Sequence, residues 1–217
     1  NNDKHLVLNL NLSRSEQKLF LYEIKSKQQF EISNQTANYS GQNFDKNDEN
    51  FLYTTNYDSE FYYLMSYNLN NGDRSIVYKT NWDVAFSYLS KNDSFRVVAV
   101  NEDAQNKIII KNMNDQSDLN LIGLENMNIN RVAFSDDEKM IRISAGSPNS
   151  PGDIYTYNLS TNKLNKITTN LNSSVNPDDL VNAEVIRYES FDGLEIPAIL
   201  YKPHSAKKGN KVPALVW

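Results

Sequence analysis

The sequence predicts an all-β fold, organised as a partial β-propeller of about four four-stranded blades, of which the first is incomplete. Two observations predict this fold class. Short runs of β-branched and aromatic residues alternate with Asn, Asp, Ser and Gly, the residues that turns require. The pattern also recurs every 45 residues, which is the length of one propeller blade. No long segment sustains the periodicity of an amphipathic helix.

A five-residue motif sets the phase of the repeat. It reads "FDKND" at 44–48, "LSKND" at 89–93 and "FSDDE" at 134–138, so successive copies begin 45 residues apart. Each copy starts with an apolar residue, and its polar cluster is expected to turn the chain into the next strand. The apolar residues that we expect to be buried at equivalent positions are Phe44, Leu89 and Phe134.

The alternation of oxygen-bearing side chains in "DKNDEN", at 45–50, is also compatible with a calcium-binding loop. The segment lacks the central glycine and the distal glutamate of an EF-hand loop. A turn is therefore the favoured interpretation, and the sequence predicts no metal site and no cofactor.

A second, independent register has the same period. It reads "YEI" at 22–24, "YNL" at 67–69, "KNM" at 111–113 and "YNL" at 157–159. Agreement between two registers argues against a chance repeat.

Each repeat offers four runs that are short enough, and sufficiently rich in β-branched and aromatic residues, to be strands. A run precedes each phasing motif, as in "VAFSYL" and "INRVAF". The runs that follow the motifs are "NFLYTTNY", "YYLMSYNL" and "RSIVYKT" in the first unit, "RVVAVNE", "KIIIKNM" and "DLNLIG" in the second, and "MIRISAG", "DIYTYNL" and "KLNKIT" in the third.

The two ends of the array are predicted to differ from its middle. Residues 1–33 correspond to the rear of a blade whose front is missing, and the pattern is absent one period after Phe134, around Asp179. We therefore expect propeller blades over 1–168, further blades upstream, and a polar linker over 169–184. The chain does not begin with Met, which is consistent with an origin inside a longer protein.

The composition excludes several classes of function. A formal net charge of −5 and the lack of a basic cluster argue against binding to nucleic acid. No apolar run approaches the roughly 18–20 residues of a membrane helix, so no membrane partner is predicted. The chain has no cysteine, which excludes disulfides and thiolate metal ligands without distinguishing a cytoplasmic from a periplasmic or secreted protein.

The segment 185–203, "VIRYESFDGLEIPAILYKP", predicts a β-hairpin. Two apolar runs flank Asp192-Gly193, and an Asp-Gly pair in that position is a strong hairpin signal. After a short polar loop, "KVPALVW" predicts a third strand over Val212–Trp217, apolar enough to be covered on both faces.

A propeller followed by this hairpin and by "PALV" resembles the prolyl oligopeptidase family of serine peptidases, in particular the acylaminoacyl and dipeptidyl peptidases. The resemblance is specific over residues 188–217 and generic over the repeats. It implies that residues 185–217 are the first strands of an α/β-hydrolase domain. It also implies that the third strand leads into a His-Gly-Gly loop that helps to form the oxyanion hole.

The residues that such chemistry needs are not found. An α/β-hydrolase places its serine in a Gly-x-Ser-x-Gly elbow, and no pair of glycines in this chain brackets a serine in that way. The nearest approach is "GSPNSPG" at 146–152, whose prolines favour a loop between strands. His5 and His204 have no serine and acid partner at a recognisable spacing. The chain is therefore predicted to contribute no catalytic residue.

The dipeptidyl branch of the family holds the substrate's amino terminus with a pair of glutamates from the propeller side. No such pair is present here, which counts against the dipeptidyl subtype. The glutamates considered, each of which stands singly, are Glu23, Glu31, Glu49, Glu60, Glu102, Glu125 and Glu138.

Two functions remain open. The first is a non-catalytic propeller portion of a serine peptidase that cleaves short peptides by acyl transfer, with the propeller restricting substrate size. The alternative is a propeller that binds a protein or ligand and has no peptidase activity. The motif "SFDGLEIPAILYKP" favours the first, because a binding propeller has no need of it. Peptides are then the expected substrates of the full-length protein. The sequence is also compatible with a homo-oligomer.

Overall fold

The computed structural model describes residues 3–103, 105–125 and 127–216. It divides into two compact units: residues 1–102, 107–120 and 134–138 form the first, and residues 103–106, 121–133 and 139–217 form the second. The described ranges contain five sheets and no α-helix, and the strand pairs whose registers are known are antiparallel, which confirms the predicted all-β class.

Five sheets follow one another along the chain, each built from strands that are consecutive in sequence. The strands, sheet by sheet, are β1 (His5–Asn11), β2 (Gln17–Glu23) and β3 (Gln28–Glu31); β4 (Tyr39–Phe44), β5 (Asn50–Thr55), β6 (Tyr63–Asn68) and β7 (Arg74–Tyr78); β8 (Asp83–Leu89), β9 (Phe95–Glu102) and β10 (Gln105–Asn112); β11 (Asn128–Phe134), β12 (Met140–Ser147), β13 (Ser150–Asn158) and β14 (Lys163–Lys166); and β15 (Ala183–Glu189) and β16 (Glu195–Tyr201). A 3₁₀ turn lies at Pro177–Asp179.

The strands recur at the predicted period. β5, β9 and β12 begin at Asn50, Phe95 and Met140, which are 45 residues apart. β1 begins at His5, one period before β5, so the first sheet has no counterpart of β4. This arrangement confirms that the first blade is incomplete.

Two predicted strands are absent from the described residues. The run "DLNLIG" contributes only an isolated bridge between Lys111 and Asp118, so the third sheet has three strands. The chain leaves the ladder after Leu119, because Leu121 and Leu124 are buried in the turn that follows.

The predicted strand at Val212–Trp217 is also wrong over its described part, since residues 212–216 pair with no other strand. Without a ladder partner an extended segment leaves its side chains in water, and Leu215 and Val216 are 80% and 92% exposed. Trp217 lies outside the described residues.

The core of the first unit lies between its sheets. Along β5, alternate side chains point in opposite directions, as the pleat of a strand requires. Phe51 and Tyr53 pack with Leu19 and Leu21 of β2, whereas Leu52 packs in a separate cluster with side chains of β6, β8 and β9. The second sheet is therefore covered on both faces.

The apolar residues of the phasing motif end equivalent strands. Phe44, Leu89 and Phe134 are the last residues of β4, β8 and β11, which confirms their equivalence. All three are half-buried rather than buried, because the chain turns away directly after them. The rings of Phe134 and Phe95 stack with their centroids 4.9 Å apart.

Each phasing motif ends in a residue with left-handed backbone geometry. Asp48, Asp93 and Glu138 end the three motifs with φ angles of 56°, 58° and 54°, and Asp3, one period before Asp48, has a φ of 50°. Asp tolerates positive φ because its short side chain can hydrogen-bond locally, whereas Glu does so less readily. The segment at 45–48 thus forms a turn.

Within the first unit, the carboxylates at these turn positions also bind the preceding repeat. The backbone N–H of Lys46 donates to the Asp93 carboxylate, and that of Asn92 donates to Oε1 of Glu138 at 2.6 Å. Burial alone would raise the pKa of Glu138, but hydrogen bonds from the hydroxyls of Ser90 and Ser94 and from Asn92 lower it overall. Glu138 is therefore an ionised acceptor that joins two successive turns.

Replacing Glu138 tests both of its roles. Glu138→Ala leaves the Asn92 N–H without its acceptor and retains the unfavourable φ, so the unfolding free energy should fall by about 2–3 kcal/mol. Glu138→Gly also lacks the acceptor but removes the backbone penalty, and it should recover about 1 kcal/mol of that loss. Urea denaturation measures both, with the exposed Glu60→Ala as control. Equal stability of the Ala and Gly variants would contradict the assigned backbone geometry.

The buried phenol of Tyr53 predicts a pH dependence. Burial raises the pKa of Tyr53 to about 12, and an unfolded tyrosine titrates near 10. Between these values the folded state keeps a proton that the unfolded state releases, so stability must fall as the pH rises. We expect the unfolding free energy to drop by about 2 kcal/mol up to about pH 12, and Tyr53→Phe to reduce this slope. An unchanged slope in Tyr53→Phe, with half-exposed Tyr201→Phe as control, would refute the assignment.

Candidate functional site

The second unit contains a cleft of about 570 Å³, here called the hairpin cleft. One wall is a face of the β15–β16 hairpin. The ladder pairs Ala183 with Tyr201 and Val185 with Ile199, and the two-residue period of a strand brings all four side chains to one face. This wall is mainly apolar.

The opposite wall is mostly polar. It is formed by residues before and at the start of β11, by the end of β12 and the turn after it, and by the first residue of β10. Its members are Gln105, Glu125, Met127, Asn128, Ser147 and Pro148, and Asn182 completes the lining.

Glu125 supplies the negative charge of the cleft. Its Oε1 accepts a hydrogen bond from the N–H of Gly123 at 2.9 Å, and this bond lowers the pKa of the carboxyl. No basic residue is among the lining residues that the structure describes. The cleft thus combines side-chain amides and one carboxylate with an apolar wall, a combination suited to contacts with polypeptide rather than with anions.

The hairpin turns where the sequence predicts. Gly193 has a φ of 82°, which favours glycine, and its N–H donates to the carbonyl of Ser190 at 3.0 Å. The N–H of Leu194 donates to Oδ1 of Asp192 at 3.2 Å, and this bond and the Ser190 hydroxyl lower the pKa of Asp192. β15 begins at Ala183, two residues before the predicted start.

The "GSPNSPG" segment is a hairpin connection. Ser147 and Ser150 pair across a two-residue turn at Pro148-Asn149, whereas a nucleophile elbow joins a strand to a helix. A Cβ on Gly146 would lie 2.9 Å from the Cα of Gly152, so close backbone approach explains the glycine. The segment is thus a tight turn between two strands, and its lack of a nucleophile stays a prediction.

The two histidines lie far apart in the sequence and in different surroundings. His5 begins β1, and its ring stacks on that of Phe44 with centroids 5.7 Å apart. The pair His5–Phe44 has the same sequence separation as Phe95–Phe134, two repeats later, so His5 takes the packing position of Phe95. His204 lies exposed in the loop after β16.

Of the seven glutamates considered, two take part in features described above. Glu125 lines the hairpin cleft, and Glu138 joins two turns of the first unit. Glu31 binds Lys18 Nζ at 3.0 Å on the first sheet. Among the described residues, no group of three or more His, Cys, Asp or Glu side chains is placed to hold a metal ion. The predicted lack of catalytic, metal and cofactor residues stays a prediction.

Sequence reasoning missed a buried carboxylate, Asp153, in the fourth sheet. Its Oδ2 lies 2.6 Å from Lys166 Nζ, and its Oδ1 accepts from the Thr168 hydroxyl and the Asn170 N–H at 3.0 and 2.9 Å. The Lys166 contact holds the pKa of Asp153 below its ordinary value. The sequence does contain a signal for this burial. In "DIYTY" the two-residue period of a strand puts Asp153 on the same face as Tyr155 and Tyr157.

Residues 1–170 match the family model described as prolyl oligopeptidase, N-terminal beta-propeller domain, which covers well over half of the chain. The chain belongs to the prolyl oligopeptidase family. This result confirms the resemblance inferred from the sequence. No curated protein matches the chain. No helix in the described ranges is long and apolar enough to cross a membrane.

Solved structures of prolyl oligopeptidases and a related peptidase are similar in fold. A puromycin-hydrolyzing peptidase of Mycobacterium tuberculosis has a TM-score of 0.73 at 10% identity, over 92% of this chain and 32% of its own. Prolyl oligopeptidase B of Galerina marginata, bound to a 35mer hydrolysis and macrocyclization substrate, has a TM-score of 0.71 at 18% identity, over 89% and 28%. The chain therefore spans about a third or less of these proteins, and the similarity shows the fold alone.

Proposed function

We propose that this chain is the propeller portion, with the opening hairpin of the catalytic domain, of a serine peptidase that cleaves short peptides by acyl transfer. The observation that carries the proposal is the family match over residues 1–170 followed by a hairpin at Ala183–Tyr201. In this proposal the reacting serine forms an ester with the acyl part of the peptide, which water then hydrolyses. The serine, its base and the oxyanion donors would all come from outside these residues.

The exposed apolar surface of the hairpin supports this role. Besides the face that lines the cleft, its second face carries Ile186, Tyr188 and Leu200, all of which are at least a third exposed. A two-stranded hairpin with both faces in water is marginally stable by itself. We propose that further strands of a hydrolase domain cover this second face in the longer protein.

The propeller would act by restricting access to the site. A ring of blades admits a flexible peptide and excludes a folded protein, which is the size selection inferred from the resemblance. The alternative, a binding propeller without peptidase activity, gives no role to the hairpin.

A serine-directed fluorophosphonate probe tests whether the reacting serine lies outside residues 1–217. The 217-residue chain should remain unlabelled, and the full-length protein should take up one equivalent of probe. Labelling of a serine within residues 1–217 would contradict the predicted lack of catalytic residues. A full-length protein that takes up no probe would favour the binding propeller.

Size selection is tested with the same full-length protein. A short peptide should be cleaved, whereas the same scissile sequence inside a folded protein should not. Equal cleavage of both substrates would refute the gating role while leaving the peptidase assignment intact.

A further inference from the structure

Four turns of the repeat have a residue with left-handed backbone geometry at the same place. They follow β2, β6, β10 and β13, and the residues are Lys27 with a φ of 60°, Gly72 with 78°, Gln116 with 62° and Asn162 with 54°. After β2, β6 and β10, the N–H of this residue donates to the carbonyl oxygen four residues earlier, at 2.9 Å in each case. The repeat therefore places different residue pairs in one kind of turn.

The residue pairs at these turns differ in their chemistry. They are Ser26-Lys27, Asn71-Gly72, Asp115-Gln116 and Thr161-Asn162. An asparagine amide is labile, because the backbone nitrogen of the next residue can attack its side-chain carbonyl carbon and close a five-membered ring. Only the second pair begins with such an amide, and Gly72 has no side chain to hinder the attack.

The turn after β6 holds the amide of Asn71 in a reactive setting. Asn71 is exposed, its Oδ1 accepts a hydrogen bond from the N–H of Asp73 at 3.0 Å, and its Nδ2 donates to Oδ2 of Asp73 at 2.7 Å. Attack on the amide carbon puts negative charge on Oδ1, and a backbone N–H already points at that oxygen. Water also reaches the exposed side chain.

We propose that Asn71-Gly72 is a site of spontaneous covalent modification, at which Asn71 is converted to aspartate and isoaspartate. The Gly72 nitrogen loses its proton and bonds to Cγ of Asn71, and the bond from Cγ to Nδ2 breaks, so that ammonia leaves and a cyclic imide forms. Water then opens the imide. Attack at Cγ gives aspartate, and attack at the main-chain carbonyl gives isoaspartate, in which the chain runs through the side chain. The inference does not depend on the peptidase activity proposed above.

The folded turn limits the rate of this reaction. The N–H of Gly72 donates to the carbonyl of Asn68 at 2.9 Å, and Oδ1 of Asn68 accepts from the N–H groups of Asn70 and Asn71 at 2.9 and 3.2 Å. The Gly72 nitrogen must leave its hydrogen bond before it attacks, so the reaction takes place when the turn opens locally. The folded chain should therefore react more slowly than the unfolded chain.

An aspartate at position 71 fits the backbone of the turn. Asp115 occupies the equivalent position after β10, and its Oδ1 accepts from the N–H of Ser117 at 2.9 Å. The new carboxylate would, however, face that of Asp73, to which the Asn71 amide now donates.

Isoaspartate is more disruptive, because it adds a carbon to the main chain of a turn that is closed by a hydrogen bond between Gly72 and Asn68. β7 begins directly after this turn, at Arg74, whose Nη2 donates to the carbonyl of Ile32 at 3.1 Å. The isoaspartate form should therefore loosen β7 and its contact with the residues that follow the first sheet, and amide exchange in β7 should become faster.

Mass spectrometry of proteolytic peptides tests the proposal on the full 217-residue chain. The chain is incubated at mildly alkaline pH, both folded and in urea, and the exchange of an amide for a carboxyl group is followed at each asparagine. An isoaspartate-specific methyltransferase separately counts the isoaspartate product. We expect product to appear first at Asn71, and sooner in urea than in the folded chain.

Two sets of variants separate the residue pair from its surroundings. Gly72→Gln reproduces the residue found at position 116, and a Cβ at position 72 would meet Oη of Tyr67 at 3.5 Å, an ordinary contact. This variant should lose the product at Asn71. Asp115→Asn combined with Gln116→Gly moves the labile pair into the turn after β10 and should create a second modified site, whereas Asp115→Asn alone is the matched control and should remain unmodified.

The proposal is overturned if Asn71 reacts no faster than the exposed Asn114 in both the folded and the unfolded chain. Undiminished product in Gly72→Gln would overturn it as well. Faster reaction in the folded chain than in urea would contradict the requirement that the turn opens first.

Discussion

The second sheet has two apolar faces, and the need to cover both of them determines how the sheets of the first unit pack. The second sheet shows the requirement met: Phe51 and Tyr53 of β5 pack on the first sheet, and Leu52 packs toward the third. In a repeat array each unit packs against its neighbours, and the first three sheets do so within the first unit. Because the sequence is repeated, one kind of interface can cover the apolar faces of successive sheets in this unit. The turn carboxylates of Asp93 and Glu138 then fix neighbouring repeats of the first unit by hydrogen bonds to backbone amides.

The repeat made most of the fold predictable from the sequence. The strands β5, β9 and β12 follow from the 45-residue period, and the Asp192-Gly193 turn follows from residue chemistry. The errors arose where tertiary context decided the outcome. The run "DLNLIG" has strand composition, yet Leu121 and Leu124 are drawn into a buried turn, and residues 212–216 have no ladder partner.

The hairpin cleft was less accessible to sequence reasoning. Its apolar wall could be inferred from the strand period of β15 and β16, but its polar wall comes from three separate segments. Asp103 and Arg187 lie 84 residues apart, and no periodicity relates them. Their ion pair joins a turn with positive φ to one face of a hairpin, and no local sequence pattern predicts such a contact.

Residue-resolved amide exchange is the measurement that tests most directly whether stability comes from mutual coverage of the sheets. If it does, exchange should be slowest in β5, whose residues Phe51–Thr55 are buried on both faces. It should be much faster in β1, which has an open edge and exposed side chains along Leu6–Leu10, and in the β15–β16 hairpin. Equal protection of β1, β5 and the hairpin would show that each sheet is stable by itself, which would contradict the account.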